Sequence, residues 1–160
     1  MVDCVGSITT RDEASLSDRF NDIITPNLYH QYLSTYLFAD LFANNASVVY
    51  TSSIRAVTGT DNMNIEYAFA KAGLENLAKS FTHMFKTRRV RVNVVRPTPI
   101  LGTKLSAGWS QEFVENLTKQ SIYKELLTPS NVVAVILFLL SDNSRSVTGS
   151  AIDVTNGFGI

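Results

Sequence analysis

Tyr67 and Lys71 stand four residues apart in Glu66-Tyr67-Ala68-Phe69-Ala70-Lys71-Ala72-Gly73, a stretch whose small residues suit a closely packed helix. On a helix that spacing puts both side chains on one face. A phenol titrates near ~10 in water, and a neighbouring ammonium favours the phenolate, drawing its pKa toward the working pH of a general acid or base. Just before lies Val48-Val49-Tyr50-Thr51-Ser52-Ser53, a β-branched run that reads as a buried strand ending on two hydroxyls. A serine there could hydrogen-bond a substrate oxygen while Tyr67 and Lys71 move its proton and hydride moves on the carbon side. Alone, the spacing is common: a Tyr four residues before a Lys arises by chance in about one in a few chains of this size. Its weight comes from the Ser-Ser strand end and from the pattern that follows.

Strands alternating with helices must position these groups. Residues 1–8 read as the tail of a strand, through Val2, Val5 and Ile8, with Gly6 and Ser7 turning out of it and a polar loop over 9–14. Ser15 or Ser17 caps a long helical pattern reaching about Phe42, which Pro26 should kink or end before Asn27. A strand over 46–51 follows, then a Gly-bearing loop over 59–62, then Asn64 as N-cap of a helix over 65–86. Val90-Arg91-Val92-Asn93-Val94-Val95-Arg96 is another strand, stopped by Pro97-Thr98-Pro99. Residues 101–110 form a loop carrying Leu105 and Trp109, read either as a lid or as core packing for the tryptophan. Helices are expected over 111–123 and 128–140, and a last strand over 151–154. This alternation specifies an α/β fold, a doubly wound parallel sheet whose strand ends bind ligands. Ser53, Pro97 and Thr98 sit at those ends.

Composition narrows the functions. A chain of 160 residues, 45% hydrophobic and 18% charged, suits one globular domain over 1–160. Fourteen Lys and Arg balance fourteen Asp and Glu, so no overall field recruits nucleic acid or an anionic membrane. Lys86, Arg88, Arg89 and Arg91 are the local exception, and they suit the carboxyl end of a helix dipole better than a phosphate patch. Cys4 is the sole cysteine, which fits a reducing compartment. His30 and His83 are isolated, so no metal constellation is read. The apolar run 132–140 is too short to span a bilayer, and no signal pattern opens the chain; a cytoplasmic protein is expected.

With these motifs in order, the chain resembles the carboxyl-terminal part of the short-chain dehydrogenase/reductase family, in particular its 3-oxoacyl-carrier-protein reductases. Asp3-Cys4-Val5-Gly6 resembles the Asn-Asn-Ala-Gly turn after the family's fourth strand, Ser53 its catalytic serine, and Tyr67 with Lys71 its Tyr-x-x-x-Lys. The run 91–97 is similar to the sixth strand, while Val147-Thr148-Gly149 and Thr155-Asn156-Gly157 resemble its closing motifs. The resemblance implies a partial Rossmann-type sheet, the fourth to seventh strands with flanking helices. It implies reversible hydride transfer between NAD or NADP and a carbonyl or alcohol, with a homodimer or homotetramer as the assembly. Tyr67 would be the acid/base, Lys71 would lower its pKa and hold the nicotinamide ribose, Ser53 would orient the substrate oxygen, and Asn27 would support a proton relay. Gly6, Pro97, Ile100 and Thr103 match positions around the cofactor.

The departures are specific. Thr98 replaces the usual glycine, Asp3 replaces an asparagine, and Ser53 to Tyr67 is one residue longer than the commonest spacing. No Thr-Gly-x-x-x-Gly-x-Gly turn, the segment that sets a helix amino terminus against a pyrophosphate, occurs in these residues. Together with a bare parallel edge at the first strand, this leads us to expect a truncated chain or a misassigned start, holding a dinucleotide poorly and prone to pair or aggregate through that edge. A non-catalytic, self-associating remnant, joined through the helices over 15–42 and 65–86, is the alternative.

Overall fold

The computed structural model describes residues 1–4, 6, 8, 15–60 and 64–159. Val5, Ser7, the loop over 9–14 and the second half of the loop over 59–62 therefore lie outside the described residues. Four parallel strands, β1 (Val2–Asp3), β2 (Ser47–Thr51), β3 (Arg91–Pro97) and β4 (Ala151–Val154), pair in the order β1-β2-β3-β4. β1 pairs only at Val2 with Val49 and Asp3 with Tyr50, so it is the short edge of this sheet, and Ile8 is outside it. Central strands buried on both sides explain the near-continuous valines of β2 and β3.

Each face of the sheet has its own core. Val48 and Tyr50 of β2 and Val92 and Val94 of β3 pack with Leu74, Ala78 and Phe81 of α4 (Ile65–Met84). Val49, Val95 and Val154 point the other way, onto Val132, Ile136 and Leu139 of α6 (Pro129–Leu140). Each buried Val, Leu, Ile or Phe among them contributes about 1.5–3 kcal/mol relative to exposure. Arg55–Thr58 forms a short α3, where the sequence suggested no element, and α5 spans Gln111–Lys119, ending short of Tyr123. Asn64 stands at the N-cap of α4 in a left-handed conformation without the expected side-chain bond. No helix among the described residues is long and apolar enough to cross a membrane.

Pro26 neither ends nor breaks the long helix. α1 (Leu16–Ile24) passes through a π turn over Thr25–Tyr29 into α2 (His30–Leu37), followed by a 3-10 turn at Ala39–Leu41. A proline has no N–H to give the α ladder, and a local widening of the turn accommodates it. The His30 N–H bonds the Thr25 carbonyl five residues back. Asn27, inside this turn, is fully buried and donates its side-chain amide to the Ile23 carbonyl at 2.8 Å.

The basic cluster is structural in part. Arg88 donates to the Ala39 and Phe42 carbonyls, where α2 and its 3-10 turn end. Buried Arg91 donates to the Leu139 and Ser141 carbonyls and the Ser144 hydroxyl, closing the end of α6 against β3. Arg91→Met strands these buried acceptors and should cost about 2–4 kcal/mol in urea unfolding. An unchanged unfolding free energy would show that this cap contributes nothing.

Candidate active site

β2 ends at Thr51, but its ladder to β3 runs on. The Ser52 N–H donates to the Val95 carbonyl at 2.8 Å and the Ile54 N–H to the Pro97 carbonyl at 3.0 Å. Ser53 is thereby fixed at the carboxyl ends of two central strands. The alternation of the chain there separates the two serines. Buried Ser52 sends its hydroxyl beneath α4, within 3.1 Å of both the Lys71 carbonyl and the Glu75 carboxylate. Ser53 keeps its hydroxyl at the strand end, where it accepts from the Arg55 N–H at 3.2 Å and is near enough to the Tyr67 phenol to favour its ionised form.

Tyr67 and Lys71 occupy successive turns of α4 on the side facing that strand end. Lys71 is only 4% exposed, and its ammonium donates to the Thr51 carbonyl at 2.9 Å. It also lies over the Tyr67 ring, 5.5 Å from the centroid. Burial lowers the lysine to about 8, with the charges of Asp3 and Cys4 acting in the opposite direction. The expected downward pull on Tyr67 is reversed: burial raises the phenol above its ordinary value, and the Ser53 hydrogen bond offsets only part of this. A cation over the ring face, already bonded to a carbonyl, stabilises the phenolate less than one beside the oxygen.

Gly6 and Asn27 close the far side of Lys71. A Cβ on Gly6 would sit 2.6 Å from the Asn27 Oδ1 and 3.3 Å from the Lys71 Nζ, so the chain passes there only as glycine. The π turn is what presents Asn27 at this point. Ser53, Tyr67, Lys71, Asn27 and Gly6 thus form one contiguous array. Cys4, absent from the sequence-based site, joins it through Thr51, with its Sγ 3.2 Å from the threonine hydroxyl.

The cofactor-facing positions divide. Pro97 is buried at the end of β3, joined to the serine segment through Ile54, and half-buried Ile100 makes a parallel bridge to Leu127. Thr103 does not present its polar groups outward: its N–H bonds the Ser106 Oγ at 2.9 Å and its hydroxyl the Ile100 carbonyl at 3.3 Å. Thr98 fills the glycine position without strain, since its N–H reaches the Val154 carbonyl at 3.2 Å, prolonging the β3–β4 pairing. Trp109 packs edge-on against the exposed Phe113 of α5, outside both core clusters.

Comparisons with known proteins agree with this architecture. The family model described as enoyl-(acyl carrier protein) reductase matches residues 2–159. The human (3R)-3-hydroxyacyl-CoA dehydrogenase is 29% identical over 163 residues, 98% of this chain and 61% of its own. The solved angucycline C-6 ketoreductase LanV with bound NADP superimposes with a TM-score of 0.87 at 23% identity, over 99% of this chain and 61% of that one. A 3-oxoacyl-[acyl-carrier protein] reductase with bound NAD from Brucella melitensis gives 0.84 at 22% identity, over 99% and 61%. The chain spans about half to three fifths of the length of the curated relatives it matches.

The lysine makes stability depend on pH with a definite sign. Below pH 8 Lys71 is protonated both folded and unfolded; above it the folded chain releases the proton first, because the unfolded value is 10.5. Its contribution to stability therefore rises between about pH 8 and 10. Urea unfolding of the native chain and Lys71→Met at pH 7, 8, 9 and 10 should show that rise in the difference between them. A difference independent of pH would overturn the assignment.

Proposed function

The chain belongs to the short-chain dehydrogenase/reductase family, and we propose that it carries the proton-transfer half of an NAD(P)-dependent oxidoreductase acting on a carbonyl or alcohol. The observation that carries this reading is the Lys71 ammonium, buried and bonded to the Thr51 carbonyl, lying over the ring of Tyr67, whose phenol is near enough to the Ser53 hydroxyl at the strand end to be influenced by it. The substrate oxygen is held by the Ser53 and Tyr67 hydroxyls. Tyr67 donates its proton as negative charge develops on that oxygen, and the Lys71 cation stabilises the phenolate left behind. A phenol kept protonated by burial is in the state that proton donation during carbonyl reduction requires near neutral pH.

The residues present fit one half of a dinucleotide. Tyr67 and Lys71 offer donors for the ribose next to the nicotinamide, with Gly6, Pro97 and Ile100 around them, and when bound the nicotinamide supplies or accepts the hydride. No glycine turn for a pyrophosphate occurs in the 160 residues. The NADP and NAD in the two solved reductases support this cofactor class without choosing between them. We place the protein in the cytoplasm, which suits the exposed free thiol of Cys4.

A homodimer or homotetramer is part of the proposal. Tyr29, Tyr32, Tyr36, Leu37 and Phe69 are all exposed on the π turn, α2 and α4, a denser aromatic surface than a lone domain needs. This surface would equally serve the self-associating, non-catalytic alternative, which only activity separates from the first reading.

Two experiments test these points. In NAD(P)H oxidation assays with 3-oxoacyl thioester and aromatic ketone probes, Tyr67→Phe should lower kcat/KM about 10²–10⁴-fold with folding unchanged. Full activity in that variant, or none in the native protein, would remove the catalytic reading. Tyr32→Asp should shift sedimentation from oligomer toward monomer, and a native monomer at working concentration would remove the assembly.

A further inference from the structure

Asp3 stands where the resembling family carries a neutral asparagine, and it is the only acidic residue described in the β1 exit, Asp3 to Gly6. Its backbone is fixed by pairing with Tyr50, the residue before Thr51. Its carboxylate accepts from the Gln31 Nε2 and the Ser34 Oγ, each at 3.3 Å, across from α2. Gln31 is itself fully buried and bonds the Pro26 carbonyl of the π turn at 3.0 Å. The carboxylate is thus held in place on the face of the sheet that also receives α4.

The ammonium of Lys71 lies in the same layer. It bonds Thr51, the strand neighbour of Tyr50, and it sits beside Gly6, three residues after Asp3. We propose that Asp3 is a positioning residue for Lys71: its carboxylate, anchored by Gln31 and Ser34, balances the buried ammonium electrostatically and keeps it charged at the strand end. The inference rests on the reading of Lys71 as the catalytic lysine.

Among the described residues, Asp3 is the main counter-charge of Lys71. On β1, Cys4 acts in the same direction once ionised. On β2, Tyr50 is held protonated by burial and pairs with the Thr35 hydroxyl. On α4, Tyr67 is likewise pushed toward its neutral form. Glu75, one turn further along α4, engages Ser52 and Arg96, and Asp153 pairs with Arg96. From the α1–α2 side comes Asn27, which is uncharged. Without the Asp3 charge, the lowering by burial would be opposed only by Cys4, and the lysine would keep its charge over a narrower pH range.

The test reads the lysine itself. Native protein, Asp3→Asn and Asp3→Glu are labelled with ¹³C-lysine, and the Lys71 ε-carbon, assigned by its loss in Lys71→Met, is followed by NMR from pH 6 to 10. Asp3→Asn should titrate about one pH unit below native, the size expected for one partly screened charge at close range. Asp3→Glu should stay with native. Should the asparagine variant fail to fold, Asp3→Ser provides the uncharged comparison. An uncharged variant titrating with the native protein overturns the proposal, because a merely structural Asp3 would not move this carbon's titration. The readout needs no turnover: a shift without activity fails the catalytic reading alone, and activity without a shift fails this one alone.

Discussion

The bond from the Lys71 ammonium to the Thr51 carbonyl joins a helix to a strand end, and most of the site is arranged around its burial. Shielding a cation from water is costly unless acceptors and counter-charge meet it. The α/β fold supplies the acceptor as the last carbonyl of β2. To reach it, α4 must lie close to its neighbours. Gly73 permits this, because a Cβ there would stand 3.0 Å from the Leu28 side chain, and Ala70 and Ala78 complete the close face. Gly6 does the same where the chain leaves β1. The π turn is the third adjustment, since it sets Asn27 and Gln31 on the buried face of the long helix, near Gly6 and Asp3 respectively.

Much of this was legible in sequence because its signals are local. The valine runs of β2 and β3, the small-residue face of α4 and the Thr128-Pro129 start of α6 each carry a period or a stop that the structure follows. Pro26 was equally visible, but its outcome was not. A proline can end, kink or widen a helix, and the choice falls to the packing of residues on either side, which no local pattern records. Asn64 illustrates the same limit: the residue type suited a cap, while its backbone took the left-handed conformation.

The site was legible as a set of residues and not as a set of charges. Ser52 and Ser53 look alike in the sequence; only the register of β2 against β3 turns one beneath α4 and leaves the other at the strand end. The sign of the Tyr67 shift was misread because spacing reveals the neighbouring lysine and hides the depth of burial. Asp3 and Cys4 were visible within a turn motif, and their approach to Lys71 depends on the pairing of β1 with β2. Thr103 matched by position, yet Ile100 and Ser106 in its own turn satisfy it first.

The two shifts together have a chemical consequence that neither has alone. In water the phenol and the lysine ammonium titrate at 10.0 and 10.5, so the phenol is marginally the stronger acid. Burial raises the first and lowers the second to about 8, reversing their order. A phenolate left on Tyr67 after proton donation is then basic enough to draw a proton from the Lys71 side. In the proposed reaction the lysine would therefore serve as a proton source for the phenol as well as a charge beside it. Its ring-face position, 5.5 Å from the Tyr67 centroid, calls for a side-chain movement or a bridging water to complete such a transfer. Fixed in one place by Thr51 and balanced by Asp3, the ammonium meets both demands only if its charge is retained until Tyr67 has reacted. The depth of burial and the strength of its counter-charge are thus opposed requirements, and the placement of Asp3 decides the balance between them.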